Sequence, residues 1–202
     1  MDFLHLFRAG GFMMYPLVIA SIVVVAVFIE RFRFYRGNQS NVDELTEKIP
    51  EYLHVGDREG LKELLEKDGG IPASMVLAGV EQLGDKASQT AILEGSAALY
   101  TGLLKNYLNY LDLIVTLSPL MGLLGTVIGM IGSFDVLSVS NGQPFAVTAG
   151  VAEALICTAT GLFVAIISLI AYTYLTQQVS NYVSQMEKLG SLYLAIAEAD
   201  KK

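Results

Sequence analysis

Few residues of this 202-residue chain have both the type and the placing to do chemistry, and all of them stand in apolar surroundings. Glu153 comes first. An ionisable group at membrane depth is costly and normally faces a bundle interior or a water-filled path. A helix starting at Phe145 puts Glu153 eight residues in, roughly 12 Å along the axis, nearer the outer leaflet than the midplane. Glu153 then serves either a proton route or a hydrogen bond at an interface between helices or subunits. Thr158 and Thr160 lie one to two turns deeper. Thr160 is almost two full turns from Glu153 and shares its face, whereas Thr158 is about 140° around. Thr126, in an earlier apolar stretch, is a further lone hydroxyl, with Ser133 seven residues on. Each threonine either hydrogen-bonds a water or a partner group, or bonds back to its own backbone. No hydroxyl titrates near neutrality. A self-contained proton path needs a carboxylate or histidine near midplane, and residues 154–175 hold neither. A conducted proton must therefore be carried by a titrating group from somewhere else.

The elements that position these residues are long apolar runs. Residues 113–134 carry no charge, and these 22 residues are enough to cross a bilayer core as a helix. Gly122, Gly125, Gly129 and Gly132 recur within that run at steps of three and four. Such spacing lines one helix face with small residues, which in lipid marks close approach of another helix. Packing and exposure of Thr126 are both open on such a face. An earlier apolar run, 12–29, ends in Glu30 and Arg31 and lacks the basic start and small-residue cleavage site of a signal peptide. It reads as a retained span. A third run begins near Phe145 and leaves lipid at Gln177 and Gln178, with Tyr172 and Tyr174 suited to the interface.

Arg31, Arg33 and Arg36 follow the first run, against Arg8 alone before it. The positive-inside rule then predicts this layout: residues 1–11 outside; a first span over 12–30; a cytoplasmic segment, 31–110; a second span, 111–137; an outer loop, 138–144; a third span, 145–176; and a cytoplasmic tail, 177–202. Apolar residues at three- and four-residue steps predict cytoplasmic helices over 43–53, 57–67 and 72–83, punctuated by Gly56, Gly69, Gly70 and Gly84. No breaker strong enough to stop a helix stands between Lys86 and Pro119, so one long helix is expected to rise into the second span. The third span is expected to run on as a stalk through Val179, Tyr182, Val183, Met186 and Leu189.

Composition excludes several classes. Hydrophobic residues make up 53% of the chain, and the net charge of −7 arises mainly in residues 37–110, with twelve acids against six bases. That balance argues against nucleic-acid binding. Cys157 is the only cysteine and reads as a small packing residue. The two histidines show no ligand spacing, and no nucleophile, base or metal set converges, so no metal, no cofactor and no enzyme activity are expected.

Two motifs carry a resemblance. The stretch SPLMGLLGTVIGMIGSF over 118–134 resembles the second-span signature of the ExbB/TolQ/MotA proton-channel family, and GVAEALICTATGLFVAI over 150–166 resembles its third-span signature. The Ala-Glu-Ala-Leu core is most like ExbB, with TolQ next, and the layout agrees along nearly the whole chain. The resemblance implies an all-α integral membrane protein of the bacterial inner membrane. It implies three transmembrane helices, with long cytoplasmic extensions of spans two and three, in a homopentameric ring. Inside the ring would sit a single-span ExbD- or TolR-like partner whose aspartate binds and releases protons. That partner would pass work to a TonB-like periplasmic-spanning protein that drives outer-membrane import. By position, Thr126 and Thr158 match the pore threonines of the family and Glu153 its third-span glutamate. Thr160 stands where the family often has an apolar or small residue.

Three spans argue against the four-span MotA branch. A TolQ-like subunit of the Tol-Pal envelope system is the alternative, and a structural membrane scaffold without ion conduction is the second. A solute transporter would show inverted repeats and broken spans, and neither is visible.

Overall fold

The computed structural model describes residues 10–82, 86–139 and 144–199, and all regular structure among them is helical. The helices are α1 (Met14–Gly37), α2 (Val42–Val55), α3 (Arg58–Asp68), α4 (Ile71–Glu81), α5 (Lys86–Leu104), α6 (Leu108–Val139) and α7 (Pro144–Ala199). The N-terminal residues 1–9, with Arg8, and most of the expected outer loop lie outside the described residues. Among the described residues, two helices are long and apolar enough to cross a membrane: Leu108–Phe134 on α6, with mean hydropathy 2.0, and Gly150–Ala197 on α7, with 2.4. The first apolar run forms the greater part of α1.

The chain divides into two compact units: Met1–Ile29 with Tyr107–Tyr174, and Glu30–Asn106 with Leu175–Lys202. In the first, α1 buries Met14, Leu17, Ala20 and Val24, a stripe at helical spacing. Its α6 and α7 segments bury mostly small groups, among them Ser118, Ala154, Cys157, Ala165, Ser168 and Ala171. Most of the large side chains point outward, Leu108, Leu111 and Ile114 excepted. Ile19, Ile22, Leu120, Leu123, Ile131, Leu155, Phe163 and Ile170 are all exposed on the isolated chain. An apolar exterior around a small-residue interior suits lipid or other transmembrane helices, not water.

In the second unit the pattern is that of a water-soluble bundle. Helices α2 to α5 pack in sequence order around Leu45, Ile49, Leu61, Leu65, Met75 and Val76. The C-terminal part of α7 adds Leu175, Val179, Tyr182, Met186, Leu189 and Tyr193, at alternating steps of four and three, which places them on one stripe. Local signals set the short helices. The Asn41 and Asp57 side chains accept the Glu44 and Gly60 amides as N-caps. Gly56 and Gly69 end α2 and α3 at φ of 75° and 65°, the left-handed region where a Cβ is penalised.

The single long helix expected from Lys86 into the second span is corrected. α5 stops at Leu104, α6 starts at Leu108, and Tyr107 adopts φ 65°. The stop is imposed from α1. Arg31 Nη1 donates to the Leu103 carbonyl at 3.0 Å and Tyr35 Oη to the Leu104 carbonyl at 2.8 Å. These side chains take carbonyls that a continuing helix would have used. Tyr182 Oη in turn donates to the Tyr35 carbonyl at 2.6 Å. Arg31, Tyr35 and Tyr182 are all buried. Burial pushes the Tyr35 and Tyr182 phenols up to about 12, so both remain neutral donors at physiological pH.

Candidate functional site: the crossing of α6 and α7

The first unit brings the two motif-bearing segments face to face, and glycine makes the approach possible. A Cβ built on Gly161 would lie 2.6 Å from the Ser118 carbonyl oxygen and 3.0 Å from Gly122 Cα. One on Gly122 would lie 3.1 Å from Thr158 Cα and 3.2 Å from the Cys157 carbonyl oxygen. Both contacts are with backbone, which cannot swing away. Further along, Gly125 packs on the Cys157 side chain, Gly129 on Gly150 and Ala154, and Gly150 on Ser133. Gly132 differs, since nothing lies within 4 Å of a Cβ built there.

Thr158 sits at the tightest point. Its hydroxyl donates across the crossing to the Gly122 carbonyl at 3.1 Å. That bond needs the backbones this close, so the glycines and the threonine work together. The other hydroxyls stay on their own helices. Thr126 Oγ1 donates to the Leu123 carbonyl at 2.6 Å, Thr160 Oγ1 to Ile156 at 2.8 Å and Ser133 Oγ to Gly129 at 2.8 Å. Among the described residues, no hydrogen bond joins Thr126, Glu153, Thr158 and Thr160 to one another. A hydroxyl has one proton and two lone pairs. With each threonine proton committed to a carbonyl, what these hydroxyls offer a newcomer is acceptor capacity.

Glu153 is half-buried, and its carboxylate packs on Gly11, just ahead of α1. A Cβ at Gly11 would lie 2.9 Å from Glu153 Cδ and would collide with Oε1. Gly11 also holds φ 69°, so conformation and space both call for glycine. Gly10 packs beside it against Ile156. The sequence reading missed this contact; its one sequence signal was the Gly10–Gly11 pair ahead of an apolar helix. Also missed was Ser118, whose hydroxyl is fully buried with no hydrogen-bond partner among the described residues. Its small size admits the Gly161 backbone, at the cost of an unpaired polar group.

Comparison with known proteins identifies the family. The profile of the MotA/TolQ/ExbB proton channel family matches residues 67–188, which include α4 and α5, the α6–α7 crossing and most of α7. The chain belongs to this family. A Synechocystis sp. protein named ExbB-like 3 is 30% identical over 193 residues, covering 92% of this chain and 91% of its own. The Tol-Pal system protein TolQ of Pseudomonas aeruginosa is 37% identical over 171 residues, covering 84% of this chain and 66% of its own. The biopolymer transport protein ExbB of Salmonella typhimurium is 35% identical over 92 residues, 45% of this chain and 38% of its own. In fold, the chain resembles a chain of the Campylobacter jejuni MotAB structure, with a TM-score of 0.60 and 20% identity, over 92% of this chain and 75% of that one.

Proposed function

We propose that this chain is the ring-forming subunit of an ExbB-like, proton-driven complex of the bacterial inner membrane. In this reading α1 is a third span, the N-terminus is periplasmic and the C-terminus cytoplasmic. Five copies enclose an ExbD-like single-span partner with a pore aspartate. The partner couples proton entry to a TonB-like protein and so to outer-membrane import.

The observation that carries this reading is the pairing, within the family-matched stretch, of an α6–α7 crossing rich in hydroxyls with a stretch of α7, residues 154–175, that holds no carboxylate or histidine. Because Thr126, Thr158 and Thr160 spend their protons on carbonyls, a partner's carboxyl meets acceptors. An acceptor favours the neutral acid, which has a proton to donate, over the carboxylate. A proton arriving on the partner's aspartate would thus be stabilised within the ring and released where water is reached. Glu153, at the outer end, is placed in this reading where protons enter.

The TolQ-like reading has an observation of its own: the Pseudomonas TolQ match covers more of this chain than the Salmonella ExbB match. One experiment addresses both. Native mass spectrometry of the protein purified with its genomic neighbour is expected to give a five-fold ring holding a single-span, aspartate-bearing chain. A ring that never takes up such a chain has no carboxylate or histidine beyond Glu153 along the third span and leaves only the scaffold reading. Deletion then separates the branches. Loss of growth on a scarce iron complex supports the ExbB-like role, and a leaky, detergent-sensitive envelope supports the TolQ-like one.

A further inference from the structure

The second unit carries a groove that its own core does not fill. It has a volume of about 410 Å³ and runs between α5 and the C-terminal part of α7, with Met75 of α4 at its floor. Its walls extend from Thr90 to Thr101 on one side and from Val183 to Leu194 on the other. Twelve residues of helix, eleven steps of about 1.5 Å, span roughly 16 Å on each side, the length of three helical turns. The lining is apolar, with Leu93, Ala97, Met186 and Leu194, but an exposed glutamate stands on each wall, Glu94 on α5 and Glu187 on α7. Neither forms an ion pair among the described residues. Methionines at the floor (Met75 Cε lies 3.2 Å from a Cβ built on Gly190) make it adaptable to an incoming side chain.

We propose that this groove receives a short amphipathic helix with basic flanks, supplied by the cytoplasmic tail of the single-span partner. The proposal rests on the function proposed above. A single-span chain that works on the periplasmic side must leave its other end in the cytoplasm. By the positive-inside rule that end is rich in Lys and Arg. Apolar anchors at one face of such a helix would fill the Met75–Met186 floor, and basic residues beside them would meet Glu94 and Glu187. Grooves of this kind are read by side chains at i, i+3, i+4 and i+7, and a three-turn groove holds one such set.

The test uses the whole complex, purified with its partner, with a photo-cross-linking amino acid at Ala98, an exposed groove residue. The expected product is an adduct with partner residues on the cytoplasmic side of its span. Joint charge reversal, Glu94→Lys with Glu187→Lys, is expected to cut that adduct about five-fold, as reversal of exposed pairs would, while the partner still co-purifies. Adducts between copies of this chain overturn the proposal in favour of a subunit contact. No adduct from a complex that contains the partner overturns it as well, and adducts indifferent to the charge reversal overturn the basic character assigned to the occupant. A preparation without any single-span partner fails at the earlier step and overturns the proposed function itself.

Discussion

The two units bury opposite kinds of side chain. Where α6 crosses α7 the first hides mainly glycine, alanine, serine and cysteine, and it turns most of its leucines, isoleucines and phenylalanines outward. The second hides leucine, isoleucine, methionine and tyrosine and closes its short helices with polar caps and glycines. The reason is the solvent each suits. In water, removing large apolar groups from solvent drives packing. In lipid that gain is absent, and close backbone approach with interhelical hydrogen bonds takes its place. One unit should therefore suffer from a methyl group removed, the other from a methyl group added.

The largest effect expected from this contrast is in the second unit. Leu61 is fully buried on α3. Leu61→Ala should cost about 3–4 kcal/mol, the usual range for such a truncation, read as a lowered thermal midpoint of the purified protein. A loss below about 1 kcal/mol would mean that the bundle core is not set by packing.

Next comes one substitution with two signs. Gly161→Ala puts a methyl into the Ser118 backbone and should destabilise by about 2–3 kcal/mol. Gly95→Ala, on α5 of the second unit, meets nothing within 4 Å and should gain up to about 1 kcal/mol from helix propensity. Equal effects of the two would collapse the comparison. A loss at Gly95 alone would reveal another chain packed on that face of α5.

How far the sequence foretold this arrangement follows from the range of each cause. The C-terminal ends of α2 and α3 were legible because Gly56 and Gly69 act on residues beside them; the caps Asn41 and Asp57 were not read from the sequence. The stop at Leu104 was not, because it depends on Arg31 and Tyr35, which are 72 and 69 residues from the carbonyls they hold. No breaker stands at 105–107 for a local reading to find. The glycine steps on α6 revealed a close-packing face, yet the spacing alone could not tell that Gly132 leaves the contact. Helical geometry rightly separated Thr158 from Thr160 but gave no hint of which one crosses to α6. That answer lies in a distance between two helices.

The buried tyrosines give a pH-dependent form of the comparison, confined to the second unit. Both phenols are held up at about 12 by burial, while an unfolded tyrosine ionises near 10. Their contribution is complete below about pH 10. Between about 10 and 12 the unfolded chain has lost protons that the folded chain keeps, so stability falls as pH rises. Tyr35→Phe should cost about 2 kcal/mol at neutral pH, since it leaves the Leu104 carbonyl without its donor. It should also make the alkaline loss less steep, measured by denaturation across that range; Tyr182 and Tyr193, whose phenols burial also raises, keep the remainder. An unchanged slope would remove Tyr35 from the titrating pair.

The smallest expected effect on stability falls at the residue with the most to say about function. Thr158→Val keeps the shape of the side chain and removes the bond to Gly122, which should cost about 1 kcal/mol, the scale of interhelical hydrogen bonds in membranes. Thr158→Ser keeps the donor and should restore it. Gly122 and Gly161 hold the crossing in both variants, so the oligomer should survive in each. Partner-dependent work should not: without the hydroxyl, the wall loses an acceptor for a protonated carboxyl as well as the clasp that aims it. The two roles separate in the serine variant, which keeps the hydroxyl but adds rotamer freedom. Full activity there with loss in Thr158→Val assigns the effect to the hydroxyl. Equal loss in both means that hydroxyl and methyl are both needed, since valine keeps the methyl and serine the hydroxyl, and wild-type activity in both takes Thr158 out of the proton route.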